Sequence, residues 1–114
     1  MKLTDLTNDE RLALGGLLRI LVRADGEFSV AEEERIDAVG DELGGKDVLW
    51  KAISASAQHF KDDQQIRAAA MGIARPEVRD IVLSVLESVA IADTMSPAEE
   101  GILTALKAHW GIAD

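Results

Sequence analysis

The stretch Asp25-Gly26-Glu27-Phe28-Ser29-Val30-Ala31-Glu32-Glu33 holds the residues best suited to chemistry. Residues flanking a tight turn and those in the first turn of a following helix lie close together. Asp25, Glu27 and Glu33 can therefore converge. Hard divalent cations take several oxygen ligands, and carboxylates supply them. A shortened copy recurs as Asp93-Thr94-Met95-Ser96-Pro97-Ala98-Glu99-Glu100, so Asp93 and Glu100 would join the same cluster if the two loops meet. Calcium, magnesium, manganese and zinc are the candidate ions. The first loop also looks like the second half of an EF-hand loop. The positions that should hold the first two ligands of such a loop are Leu21 and Arg23, which argues against an EF-hand.

The surrounding charge points the same way. Between Asp25 and Glu42 there are eight acids and one base, Arg35, so this segment carries −7 of the net −9. Such a field repels nucleic acid and anionic lipid and attracts cations or basic partners. Glu34, Asp37 and Asp41 recur at i, i+3, i+7 and form the expected partner-binding face. Ile36, Val39 and Leu43 share that spacing on the opposite, inward side.

These residues are held by helices whose starts and stops are written locally. Thr7-Asn8-Asp9-Glu10, Ser29-Val30-Ala31-Glu32 and Ser96-Pro97-Ala98-Glu99 are capping boxes. Pro76 and Pro97 sit at the favoured first helical position. Gly44 and Gly111 follow helical patterns as stop residues. Leu12 to Ala24 is apolar on most sides, as is 76–92, and both read as central, buried helices. Gly15-Gly16 costs helix propensity, tolerable where another helix crosses closely. The middle reads as a helix over 47–58, with Val48, Leu49, Ala52, Ile53 and Ala57 inward and Trp50 in core or surface. A second helix runs from Gln64 to about Ile73, capped by Asp62 or Asp63. The last helix turns Ile102, Leu103, Leu106 and Trp110 inward.

The fold expected is all-α, a compact bundle of six to seven helices in one domain over 1–114. Within it, residues 14–44 and 82–111 match in pattern. Sliding by 68 pairs Leu14 with Val82, Leu17 with Val85, Leu18 with Leu86 and Leu21 with Val89. After the loop the offset is 67, pairing Ser29 with Ser96, Glu32 with Glu99 and Ile36 with Leu103. Repeat one runs over about 8–44, connecting helices over 46–74 and repeat two over about 76–111. The two helix-loop-helix units are expected to pack about a pseudo-twofold axis through their leading helices. Arg19 and Glu87 take matched positions with opposite charge, so either an ion pair between those helices or two solvent-reaching side chains is expected.

At this level the chain resembles the tellurite-resistance TerB-like domains. The resemblance rests on "RADGEFSVAEEERIDAVGDELG" and "IADTMSPAEEGILTALKAHWGI", each preceded by an apolar helix, and covers about Leu12 to Ile112. It implies an all-helical fold of about seven helices, an acidic cluster proposed to bind divalent metal, and roles in stress-response or membrane-linked assemblies. Asp93-Thr94-Met95-Ser96 departs from the usual loop of the family, losing a glycine and one carboxylate.

Composition closes off other classes. There is no cysteine, which excludes disulfides and thiol chemistry. Tyrosine is absent and aromatics are 4%, so stacking platforms for single strands are missing. His59 and His109 each lack a helical metal-ligand partner. No glycine-rich phosphate loop is present, and the helical serines lack a His/Asp arrangement. The longest apolar stretch is short and contains Arg19, so no membrane insertion is expected. With no apparent signal peptide, the expected location is cytoplasmic. The chain reads as a non-enzymatic binding or adaptor module for a basic protein partner or a divalent ion. The competing readings are a structural interaction subunit, homo- or hetero-oligomeric, without a metal site, and an enzyme using Asp25, Glu27 or Glu33 as general base.

Overall fold

Four of the α-helices begin where a side chain satisfies an orphan amide of the first turn, and a fifth begins on Pro76. In the computed structural model, which describes residues 2–24, 29–92 and 95–112, there are six α-helices after a short 3-10 turn at Leu3–Asp5. They are α1 (Asn8–Arg23), α2 (Val30–Glu42), α3 (Lys46–His59), α4 (Asp63–Met71), α5 (Pro76–Ala90) and α6 (Pro97–Trp110). There is no strand among the described residues. All three capping boxes form: Thr7 starts α1, Ser29 starts α2 and Ser96 starts α6. The Asp62 carboxylate caps α4 by accepting from the Gln65 amide at 2.9 Å. Gly44 (φ 72°) and Gly111 (φ 70°) end helices in the left-handed region, where a Cβ would be strained.

α1 is the central helix. Every residue from Leu12 to Leu18 is buried, as are Ile20, Leu21 and Val22. Its broadest contacts are with α3 and α4, and it also meets α5. Two glycines let α1 approach α3 and α4 closely. A Cβ on Gly15 would lie 2.3 Å from the Ala52 carbonyl oxygen of α3, and one on Gly16 would lie 2.8 Å from the Ile66 side chain of α4. The propensity lost at Gly15-Gly16 is thus offset by close packing, on the α3 backbone at Gly15 and on the Ile66 side chain at Gly16. Leu14, Leu17, Leu18 and Leu21 meet Val78, Val82, Leu86, Leu49 and Ile66 in one core. Fully burying each such side chain contributes roughly 1.5–3 kcal/mol. The Cα radius of gyration is 12.7 Å, near the roughly 13 Å typical of a domain this long.

Two expectations are corrected and one open alternative is decided. In α3 the inward residue is Ser56, fully buried, whereas Ala57 is exposed. The Ser56 hydroxyl donates to the Ile53 carbonyl at 2.7 Å, so its burial leaves no orphan donor. Ile91, expected within the apolar helix 76–92, is instead the cap residue beyond α5 and is 61% exposed. Arg19 and Glu87 do not pair: Glu87 accepts from Lys107 of α6 at 3.0 Å, and Arg19 makes no ion pair among the described residues. The nearest cation to Glu87 comes from the helix that packs along α5, a neighbour that matched sequence register does not identify.

Candidate functional site: the acidic face of α2

Ser29 fixes where α2 begins and therefore which carboxylates lie outside. Its hydroxyl accepts from the Glu32 amide at 3.1 Å, and Glu32 Oε1 accepts from the Ser29 amide at 3.0 Å. The same reciprocal pair joins Ser96 and Glu99 at the head of α6. This geometry draws Glu32 and Glu99 inward, to 2% and 1% exposure. A negative group at a helix N-terminus is favoured by the exposed amides there. Glu32 nonetheless keeps a second oxygen, Oε2, that is buried with no hydrogen-bond partner among the described residues. Burying an unpaired carboxylate oxygen is costly.

One residue further on, Glu33 and Glu100 lie exposed in the first turns of α2 and α6. Asp25, Glu27 and Asp93 fall outside the described residues. The described residues contain no group of three or more His, Cys, Asp or Glu placed to hold a metal ion.

Ile36, Val39 and Gly40 bury the inner side of α2 with Leu43 half-buried beside them, and apart from Glu32 and Asp37 the charged residues of the helix face out. Glu33, Glu34, Asp41 and Glu42 are exposed, and no carboxylate of α2 takes part in an ion pair among the described residues. Asp37 is the exception on the expected binding face. It is half-buried, and its Oδ1 accepts from the Trp50 indole nitrogen of α3 at 2.6 Å. That bond settles the place of Trp50, which is half-buried at the junction of α2 and α3. Asp37 is therefore a structural acceptor at the edge of the face, while Glu34 and Asp41 are exposed.

The strongest charge pair lies elsewhere. Arg75, at the head of α5, donates through Nε to Glu10 Oε2 at 3.0 Å and through Nη2 to Glu10 Oε1. The same Nη2 donates to the Asp5 carbonyl at 3.1 Å. Hydrogen bonding from the guanidinium holds the Glu10 carboxyl below its ordinary value, against a smaller opposing effect of burial. Sequence reading identified Glu10 only as a cap. Its partner is 65 residues away, so no local pattern signals the pair.

The α2 face can do electrostatic work: bind a cation or a lysine- and arginine-rich surface. The described residues offer no paired base and nucleophile there. No helix among them is long and apolar enough to cross a membrane. No protein-family model matches this chain, and no curated protein or solved structure matches it at a significant level.

Proposed function

We propose that this chain is a non-enzymatic, cytoplasmic binding or adaptor module of the TerB-like type, linked to stress response, whose acidic α2 face meets a basic protein partner. The observation that carries this reading is the row of exposed carboxylates at Glu33, Glu34, Asp41 and Glu42, none of them in an ion pair among the described residues. A stable soluble helix commonly intersperses its charges. This one carries an uncompensated field, which raises the local concentration of cations and speeds encounter with basic partners.

A divalent ion is the second element of the proposal. The buried, unpartnered Glu32 Oε2 supports it, because a hard cation satisfies an orphan carboxylate oxygen. Glu33 beside it, with Asp25 and Glu27 from the preceding loop, has the oxygen chemistry such an ion takes. Asp93 and Glu100 would contribute from the second loop. The ion would add positive charge to an acidic surface.

The test is calorimetric titration with a lysine- and arginine-rich helical peptide at low and high salt. The Glu34→Lys, Asp41→Lys double variant leaves Asp37 in place to hold Trp50. Expected is salt-sensitive binding by the native chain and a loss of affinity of at least about tenfold in the variant, from several lost charge contacts. Equal binding by both proteins rejects this face.

A further inference from the structure

On another side of the molecule lies an apolar groove. α6 packs along α5 and is tied to α4 at its far end, where the Trp110 indole donates to the Ala70 carbonyl at 3.3 Å. Between these attachments α6 leaves a groove of about 360 Å³ against α1 and α4. One whole face of α6 lines it: Ala98, Gly101, Ile102, Ala105, Leu106 and His109. Leu17 and Ile20 of α1 form its floor, and Arg67 and Met71 of α4 its other wall. Met71 is 53% exposed.

Three observations point to an occupant. Gly101 interrupts α6 although a Cβ there would meet nothing within 4 Å. The helical glycines of α1 are explained by neighbouring backbone and side chains. The one in α6 has no such neighbour in the fold, and it leaves the groove wall low. Among the described residues, the only ionisable ones lining the groove are Arg67 and His109, in a chain whose acids outnumber its Lys and Arg by 21 to 12. Arg67 makes no ion pair among the described residues. The size then selects the ligand. The α6 face from Ala98 to His109 is roughly 17 Å long at 1.5 Å per residue, while a docking helix with its side chains is about 10 Å wide. The groove volume lies near the lower end of small-molecule pockets. It accommodates a flexible chain of methylenes rather than a helix.

We infer that this groove binds a fatty-acid anion, its acyl chain along α6 over Leu17 and Ile20 and its carboxylate paired with Arg67. The inference is independent of the α2 face and shares no residue with it.

The experiment titrates the full chain with dodecanoate, dodecanol and dodecyltrimethylammonium, each below its micellar concentration, and follows amide shifts. Saturable binding is expected in the order carboxylate, alcohol, cation. A charge-assisted contact separates the first two by about tenfold. Gly101→Leu raises the groove wall into open space, so it stays folded, as its circular dichroism would verify, and loses dodecanoate. Gly101→Ala keeps it. Arg67→Gln still takes dodecanol but no longer prefers the carboxylate. Saturable binding of none of the three probes, binding untouched by Gly101→Leu, or a cation that binds as tightly as the carboxylate overturns the inference. So does an acidic amphipathic peptide that displaces dodecanoate and binds more tightly than it.

Discussion

The same substitution made at two helical glycines should move stability in opposite directions. A Cβ at Gly15 would sit 2.3 Å from the Ala52 oxygen, 2.5 Å from its carbonyl carbon and 2.8 Å from the Ile53 nitrogen. Ordinary contact is about 3.5 Å, so α3 must retreat by about 1 Å across a junction that also carries Leu49 and Ala52. The obstacle is backbone, which cannot turn aside as a side chain does. Overpacking of this kind costs up to about 3 kcal/mol. The gain in helix propensity from glycine to alanine returns about 1 kcal/mol. Gly15→Ala should therefore destabilise the fold by about 2 kcal/mol, or about 8 °C in melting temperature for a domain of this size. At Gly101 the new methyl meets nothing within 4 Å. Only the propensity gain remains, and Gly101→Ala should be more stable by up to about 1 kcal/mol. Urea and thermal unfolding followed by far-UV circular dichroism read both. A Gly15→Ala protein as stable as the native chain, or two shifts of the same sign, would refute the close crossing of α1 and α3.

Other outcomes follow from single contacts. The guanidinium of Arg75 lowers the Glu10 pKa from its ordinary 4.5. A depressed carboxylate contributes stability that is full above the unfolded value and is lost as pH falls through the folded one. Stability should fall below about pH 4.5 more steeply in the native chain than in Glu10→Gln, checked by urea midpoints across pH; parallel curves would remove the pair from the account. Trp50→Phe deletes the donor to Asp37 and should cost about 1 kcal/mol in unfolding free energy. In the Trp50→Phe, Asp37→Asn double variant the second change should add little, which a double-mutant cycle measures. Millimolar calcium, magnesium, manganese or zinc should raise the melting temperature if a cation completes the Glu32 and Glu33 carboxylates. Absence of any shift or heat with all four would reject the ion.

Much of the fold was legible because its signals are local. Thr7, Ser29 and Ser96 each sit three residues before a glutamate, and each box forms as read. Gly15-Gly16 announced a close helix crossing, though not which helix makes it. The misreadings needed information that no local window holds. Ser56 and Ala57 differ by one helical step, and which of them faces inward depends on where α1 crosses α3. Glu87 was matched with Arg19 by register, whereas α6 lies alongside α5 and supplies Lys107. The α2 face was legible as charge, but the role of Asp37 depended on Trp50, thirteen residues later in the next helix. The burial of Glu32 was implicit in its capping box, since the return bond to Ser29 turns the carboxylate toward the helix start. The groove was hidden because Ile102 and Leu106 read as ordinary inward residues. Only the packing of α6 along α5 leaves them half open.

The most direct test of the acidic-face reading is a residue-resolved map of where a lysine- and arginine-rich peptide touches the chain. In an amide chemical-shift titration, the account predicts saturable shifts concentrated at Glu33, Glu34, Asp41 and Glu42, with α4 and α6 unmoved. Shifts absent throughout, or spread over the helices without a maximum on α2, would contradict it.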